Sequence, residues 1–310
     1  MPAFESRNPN LVLVGLEEGR LSPIEAMHAL RTSYHSHAKT QQAEIGSSDS
    51  SEWRLNEALS ELDSLVGLAS VKVLVRELVA YVRIQRIRET RQLASDALVL
   101  HMVFSGNPGT GKTTCARLMG KIFREMGVLE KGHLVERERA DLVGEYIGHT
   151  AQKTRDQIKK ALGGILFIDE AYSLATGGDK DFGKESISTL IKAMEDNRDR
   201  FIVILAGYRE EMAKFVQSNP GIRSRFPIHI EFPDYATQEL MLIADLMLKK
   251  RDYRLDLAAR ARLEAILSRN LGPNTEHSGN ARLVRNIIER AIRRQATRLV
   301  DRKQLTREEL

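Results

Sequence analysis

Eight consecutive residues, Gly106-Asn107-Pro108-Gly109-Thr110-Gly111-Lys112-Thr113, carry the full spacing GxxxxGK[ST] of a loop that cradles phosphate. Glycines let the backbone curl until several N–H groups aim at one phosphate, and a helix starting there adds its positive end. In such a loop Lys112 neutralises charge on the β and γ phosphates, and the Thr113 hydroxyl holds Mg2+. Pro108, Gly109, Thr110, Gly111 and Thr114 complete the wrap around the nucleotide. A second cluster, Ile165-Leu166-Phe167-Ile168-Asp169-Glu170, puts two carboxylates at the end of an apolar run. Beside a phosphate loop, Asp169 suits the Mg2+ shell and Glu170 the polarisation of an attacking water. The chemistry predicted is hydrolysis of ATP.

These residues need a scaffold, and the surrounding pattern supplies one. The spacing predicts strands at Leu98 to Phe104, His133 to Arg137, Ile165 to Ile168, Phe201 to Ala206 and Ile228 to Phe232. Helical patterns lie at Thr113 to Met126 and Ala151 to Ala161, and Val71, Val75, Leu78 and Val82 share one helix face upstream. Strands alternating with helices imply an α/β fold, a five-stranded parallel sheet covered on both faces. After Pro233 strand signals stop, and Thr237 to Lys249, Ala258 to Leu267 and Ala281 to Leu299 read as a small α-helical lid. Leu21 to Tyr34 has helical spacing, and Gly46 to Ser51 reads as a linker. The expected division is 1–52 extension and linker, 53–235 nucleotide-binding domain, and 236–310 lid.

Composition narrows the class. With 47 basic and 42 acidic residues interleaved, the net charge of +5 reads as a solvated surface rather than a nucleic-acid patch. No apolar run is long enough to span a bilayer, and Met1 to Asn10 lacks a charged-then-apolar leader pattern. A single cysteine, Cys115, forbids an internal disulfide and suits a reducing cytoplasm.

With the two motifs placed, the wider pattern resembles the CbxX/CfqX-type AAA+ ATPases. The similarity runs from about residue 60 to 300 and is densest at Ala140 to Thr154 and Gly164 to Ser173. It implies an adenine-packing segment at Val66-Gly67-Leu68, followed by Lys72, and a second sensor at Gly279-Asn280-Ala281-Arg282, whose Arg282 would contact the γ-phosphate. Arg285, Arg290, Arg293 and Arg294 on the same helix read as a wet face opposite Val284, Ile287, Ile288 and Ala291. Asn219 to Phe226 resembles the stretch carrying an arginine finger, with Arg225 the first candidate and Arg223 the second. It implies a homo-oligomeric ring, usually of six, with ATP between neighbours, because an edge arginine cannot reach its own γ-phosphate but can reach the next subunit's. Tyr146-Ile147-Gly148 would line a central pore and grip a protein substrate, and Asp179 to Lys184 is a candidate second pore loop. One departure stands out: Ala206-Gly207-Tyr208-Arg209 occupies the place of the usual polar residue that orients the lytic water.

Three rival classes remain. A DNA-handling AAA+ motor fits the slight basic excess but lacks a winged-helix segment after the lid. A small-molecule P-loop kinase needs neither a finger from a neighbour nor a long helical lid. A nucleotide-sensing scaffold without hydrolysis would have lost Lys112 or Glu170, and both are present.

Overall fold

Short apolar runs pair side by side into one parallel sheet: β1 (Met102–Gly106), β2 (Leu134–Arg137), β3 (Ile165–Ile168), β4 (Ile202–Gly207) and β5 (Ile228–Phe232). Their order is β2-β3-β4-β1-β5, and every pairing is parallel. The computed structural model describes residues 51–94, 98–146, 148–176, 182–270, 279–300 and 302. The chain divides into two compact units, Met1–Asn56 and Glu57–Leu310. Of the first, residues 51–56 are described, and they are helical. The expected helix at 21–34 lies outside the described residues, as does the expected linker but for Ser51, which is helical.

Within the second unit the helices are α1 (Ala69–Thr90), α2 (Lys112–Glu125), α3 (Arg139–Leu142), α4 (His149–Ala161), α5 (Gly183–Asp196), α6 (Arg209–Ser218) and α7 (Pro220–Arg225). The sheet is followed by α8 (Thr237–Lys249), α9 (Leu257–Asn270) and α10 (Asn280–Leu299). The strands alternate sides as a pleated sheet must. Val103, Leu166, Ile168, Val203 and Leu205 join a cluster with Ile158, Ile187, Leu190, Met212 and Phe215 from α4, α5 and α6. Phe104, outside that cluster, meets Phe167 and Phe232, with ring centroids 6.5 and 4.9 Å apart. Burial on both faces is why β3 and β4 read as unbroken apolar runs.

α2 places Cys115, Ala116, Met119, Ile122 and Phe123 inward. Burial pushes the Cys115 thiol up to about 12, so it stays protonated and behaves as a small apolar side chain. On α10, Val284 and Ile288 are buried and the arginines at 282, 285, 290, 293 and 294 are exposed; Ala291, expected inside, is exposed too. On α1, Val79 is fully buried and Leu78 only half-buried, a shift of one position around the helix. Four of these helices, α3, α5, α6 and α7, occupy stretches to which the sequence reading assigned no element.

β1 begins four residues later than its apolar run suggests. His101 explains the delay: its Nδ1 accepts the Val203 N–H at 3.0 Å, so a side chain satisfies a backbone donor of β4. The ring packs between Phe201 and Phe226, with centroids 6.2 and 5.9 Å away. Burial, assisted by the Arg225 charge, lowers the His101 pKa from about 6.5 to about 4. The neutral ring is the folded form, so this contribution is whole above pH 6.5 and is lost as pH falls toward 4. We expect unfolding free energy to drop by roughly 2 kcal/mol between pH 7 and pH 5 from this group. Denaturant titration of His101→Gln at the two pH values checks it: the variant should be weaker at pH 7 and should lose that part of the pH dependence.

Candidate nucleotide-binding site

Strand register brings the two motifs together. Ile168 pairs with Leu205, and Ser105 pairs with Gly207, so the strands ending in the phosphate loop and in the acidic pair flank β4. Ligands of open α/β sheets bind at such carboxyl ends, where the strand order reverses. A cavity of about 900 Å3 opens there. Its lining includes Pro108, Gly109, Gly111, Lys112, Thr113, Thr114, Asp169, Glu170, Tyr208 and Arg282.

The loop is held shut by its own donors. Lys112 Nζ donates to the Gly106 and Asn107 carbonyls at 2.7 and 2.9 Å. Thr110, fully buried, donates its hydroxyl to the Asn107 carbonyl at 2.8 Å. Burial is the largest influence on the Lys112 ammonium and lowers its pKa; Asp169 opposes that, Arg282 adds to it, and Asp234 and Glu170 oppose it. Of these groups Asp169, Glu170 and Arg282 line the cavity beside Lys112, where a triphosphate would lie. Glu170 has the left-handed φ of 47°, uncommon for a side chain with a Cβ, and its N–H donates to Asp169 Oδ1 at 3.0 Å. Glu170 is exposed and Asp169 half-buried, which leaves both oxygen sets open to the cavity.

The donor chemistry fits Mg2+. Thr113 supplies a hydroxyl and Asp169 a carboxylate, both hard oxygen ligands, and both line the cavity. Among the described residues no group of three or more His, Cys, Asp or Glu could cage a metal alone. A cation here must take its remaining ligands from phosphate and water, which is how Mg2+ binds nucleotides.

The lid closes the far wall. Gly109 has φ 76°, and a Cβ there would sit 2.5 Å from the Gly279 carbonyl oxygen and 2.8 Å from the Arg282 nitrogen. Ala281 N–H donates to the Gly109 carbonyl at 3.2 Å. The first turn of α10 therefore rests directly on the phosphate loop.

Val66 and Gly67 lie outside that cavity lining. Gly67, with φ 62°, touches the start of the lid instead: a Cβ would fall 2.3 Å from Glu239 Oε1 and 3.3 Å from Tyr235 Cε1. Leu68 reaches the back of the phosphate loop near Gly111, and the Tyr235 hydroxyl donates to the Thr110 carbonyl at 3.1 Å. Lys72 fastens the preceding turn by donating to the Asp63 and Leu65 carbonyls at 3.0 and 2.5 Å. Its side chain is therefore committed to the backbone.

Arg223 and Arg225 sit on α7, away from the cavity. Asn219 Oδ1 caps that helix by accepting the Gly221 and Ile222 N–H groups at 3.1 and 3.2 Å. Ile222 and Phe226 point inward, so the two arginines point outward. Arg225 is half-buried and pairs with Glu195 of α5, whereas Arg223 is exposed. Tyr146 is 66% exposed, its ring edge-on to His149 at 5.6 Å. Gly148, with open space around it, has the left-handed backbone that starts α4. Ile147 and residues 177–181 lie outside the described residues, while Gly183 and Lys184 form the first turn of α5. At the end of β4, the Tyr208 ring meets the Tyr172 ring at 6.1 Å. A Cβ on Gly207 would come within 2.8 Å of Tyr172 Cδ1. Burial first, then the Glu170 charge, pushes the Tyr172 phenol up to about 12.

Fold and site together define a P-loop ATPase with a helical lid. The chain belongs to the AAA family: "ATPase family associated with various cellular activities (AAA)" matches residues 102–234, and an AAA lid domain matches 236–310. It is 54% identical over 260 residues to "Stage V sporulation protein K" of Bacillus subtilis, covering 84% of this chain and 81% of that protein. It is 48% identical over 249 residues to the plasmid "Protein CbxX" of Cupriavidus necator, covering 80% and 78%. A chloroplastic "Ribulose bisphosphate carboxylase/oxygenase activase" of Cyanidioschyzon merolae is 44% identical over 248 residues, covering 79% and 84%. Among solved structures, a point mutant of Thermotoga maritima RuvB shares the fold, with TM-score 0.50 and 21% identity over 80% of this chain and 69% of that one. Family and homologues make the protein an enzyme that hydrolyses ATP.

The contact at Gly109 makes a sharp expectation. Gly109→Ala must place a methyl against the lid backbone in a left-handed conformation, costing about 2 kcal/mol or more. Thermal unfolding should show a fall in Tm of about 4 °C or more, and calorimetric titration should show weaker ATP binding.

Proposed function

We propose that the protein is a ring-forming motor, usually six subunits to a ring, that spends ATP hydrolysis to remodel a protein substrate drawn through its central pore. The observation that carries this reading is a division in space: Lys112, Thr113, Asp169, Glu170 and Arg282 share one cavity, while Arg223 and Arg225 stand outside it on a rigidly capped helix. Arginines so placed serve a neighbour's γ-phosphate better than their own. Arg225 remains the first candidate for the finger. It would exchange Glu195 for the neighbour's phosphate, and Arg223 is the second, already facing solvent.

Within each subunit Lys112 and the loop N–H groups hold the β and γ phosphates. Thr113 and Asp169 hold Mg2+, which supplies charge neutralisation when bound. Glu170 takes a proton from water as the oxygen attacks the γ-phosphorus, and the bond from that phosphorus to the β–γ bridging oxygen breaks so that ADP leaves and inorganic phosphate forms. Val66 and Gly67 pack the adenine end, and Arg282 contacts the γ-phosphate from the lid. Tyr146, Ile147 and Gly148 grip substrate: an exposed aromatic stacks on any backbone, so grip tolerates sequence, and the glycine lets the loop swing. The division into a domain at 53–235 and a lid at 236–310 belongs to the same proposal, as does a cytoplasmic location. Among the described residues no helix is long and apolar enough to cross a membrane.

The first reading is a stage V sporulation protein K-like factor, supported by the 54% identity to that Bacillus subtilis protein. A rubisco activase role is the second reading, favoured by the 44% identity to the algal activase. Release of bound sugar phosphate from inhibited rubisco on addition of protein and ATP would decide for it.

Complementation between inactive subunits tests the shared seam. Glu170→Gln should bind ATP within about threefold of normal and hydrolyse it about 10²-fold more slowly. Lys112→Ala should instead lose more than about tenfold in binding. Arg225→Ala alone should lose about 10³-fold in turnover. Mixed with Glu170→Gln, it should regain activity, since about a quarter of random seams then pair an intact Glu170 with an intact Arg225. Turnover that stays flat on mixing sinks the ring reading. Trapping Glu170→Gln with ATP should in turn co-purify the protein being threaded.

A further inference from the structure

The connection between sheet and lid carries a side-chain cluster that the roles above leave unused. Asp234 follows β5 by two residues and precedes α8. Its carboxylate accepts from Asn107 Nδ2 at 3.1 and 2.9 Å, and from Asn280 Nδ2 at 2.7 Å. Asn107 is the second residue of the phosphate loop, and Asn280 is the first residue of α10, two before Arg282. A carboxylate only accepts, so both amides are bound to turn their NH2 groups toward it. That fixes the rest of Asn280: its Oδ1 accepts the Tyr235 N–H at 2.9 Å, and its Nδ2 also reaches the Pro108 carbonyl at 3.4 Å. Asn280 is fully buried and has the left-handed φ of 44°, a conformation asparagine tolerates better than most residues.

Three segments therefore meet at two side chains: the phosphate loop (Asn107, Pro108), the junction between β5 and α8 (Asp234, Tyr235) and the start of α10. A buried amide with its bonds satisfied in one arrangement fixes geometry sharply, because any slip leaves donors unpaired. The Ala281 N–H bond to Gly109 adds a backbone tie at the same place.

We infer that Asp234 is a positioning residue for ATP hydrolysis: through Asn107 and Asn280 it locks the first turn of the lid helix onto the phosphate loop and so holds Arg282 over the phosphates. This rests on the role given to Arg282 above. Asp234 touches neither the attacking water nor, in this arrangement, the phosphates. Its effect on rate passes through the lid.

The test uses the full chain with ATP and Mg2+, measuring turnover, ATP affinity and hydrogen exchange of residues 279–284 without nucleotide. Asp234→Ala should lower kcat about tenfold while the ATP Kd moves less than about threefold. Arg282→Ala should fall by a similar factor, and the double variant no further than Arg282→Ala alone. Exchange of the α10 first turn should quicken in Asp234→Ala and stay unchanged in Arg282→Ala, a difference that loss of rate alone does not produce. Asp234→Asn should recover to within about threefold of the unaltered protein, because Asn107 can rotate its amide and offer oxygen to the new NH2 group. Should Asp234→Ala fail to fold, Asn107→Ala removes one arm and is read in the same way. Full-speed Asp234→Ala beside a slow Arg282→Ala overturns the clamp alone, as do losses that multiply in the double variant or an Asp234→Asn that does not recover. Full-speed Arg282→Ala overturns the role given to Arg282, and the positioning inference with it.

Discussion

Parallel register at the carboxyl end of the sheet is the constraint on which the site depends. β4 lies between β1 and β3, so the phosphate loop and the acidic pair are held two strand spacings apart, roughly 10 Å. That gap suits a triphosphate with a cation and a water on its far side. β4 ends there in Gly207, which borders the cavity and where a side chain would strike Tyr172 or Met212. A change in the order β3-β4-β1 would part the lysine from the carboxylates, whatever the local sequence of either motif. The aromatic and aliphatic packing on both sheet faces serves that spacing.

The second theme is how little of the site belongs to one element. One cavity is bordered by the phosphate loop, by the two carboxylates that follow β3, and by Arg282 of α10, whose backbone nitrogen lies against Gly109. Loop and lid are in van der Waals contact, so nucleotide entering the cavity presses on both. The strained backbone at Glu170 and at Asn280 marks the two points where the chain turns sharply to face that space. Each is held by a neighbouring carboxylate or amide: Asp169 for the first, Asp234 for the second.

Much of this was legible in the residues. β3 and β5 and the helix α8 fall where their apolar runs and spacing predicted, because burial on one or both faces leaves a strong periodic signal. The phosphate loop and acidic pair were legible because chemistry fixes their spacing. Other features were not. β1 starts late because an imidazole replaces a ladder bond, and no pattern of hydropathy encodes such an exchange. α5 carries Ile187, Leu190 and Met194 at helical spacing, a signal that was available. α6 and α7 are short, and what defines α7 is a side-chain cap at Asn219 followed by Pro220. The Asp234 cluster joins residues more than a hundred positions apart, and only the fold brings them together. Lys72 resembled part of a nucleotide segment, yet its ammonium is committed to the Asp63 and Leu65 carbonyls ahead of α1.

The chain's one thiol is buried in α2 immediately behind the phosphate loop, and it stays protonated far above neutral pH. Maleimide-type reagents, which need an accessible thiolate, will pass it by. The unaltered protein is thus a silent background for site-directed labelling. A cysteine introduced on α10 and another on α2's exposed side would be the two reactive positions, and energy transfer between dyes there could follow lid movement through a catalytic cycle without first deleting a native residue.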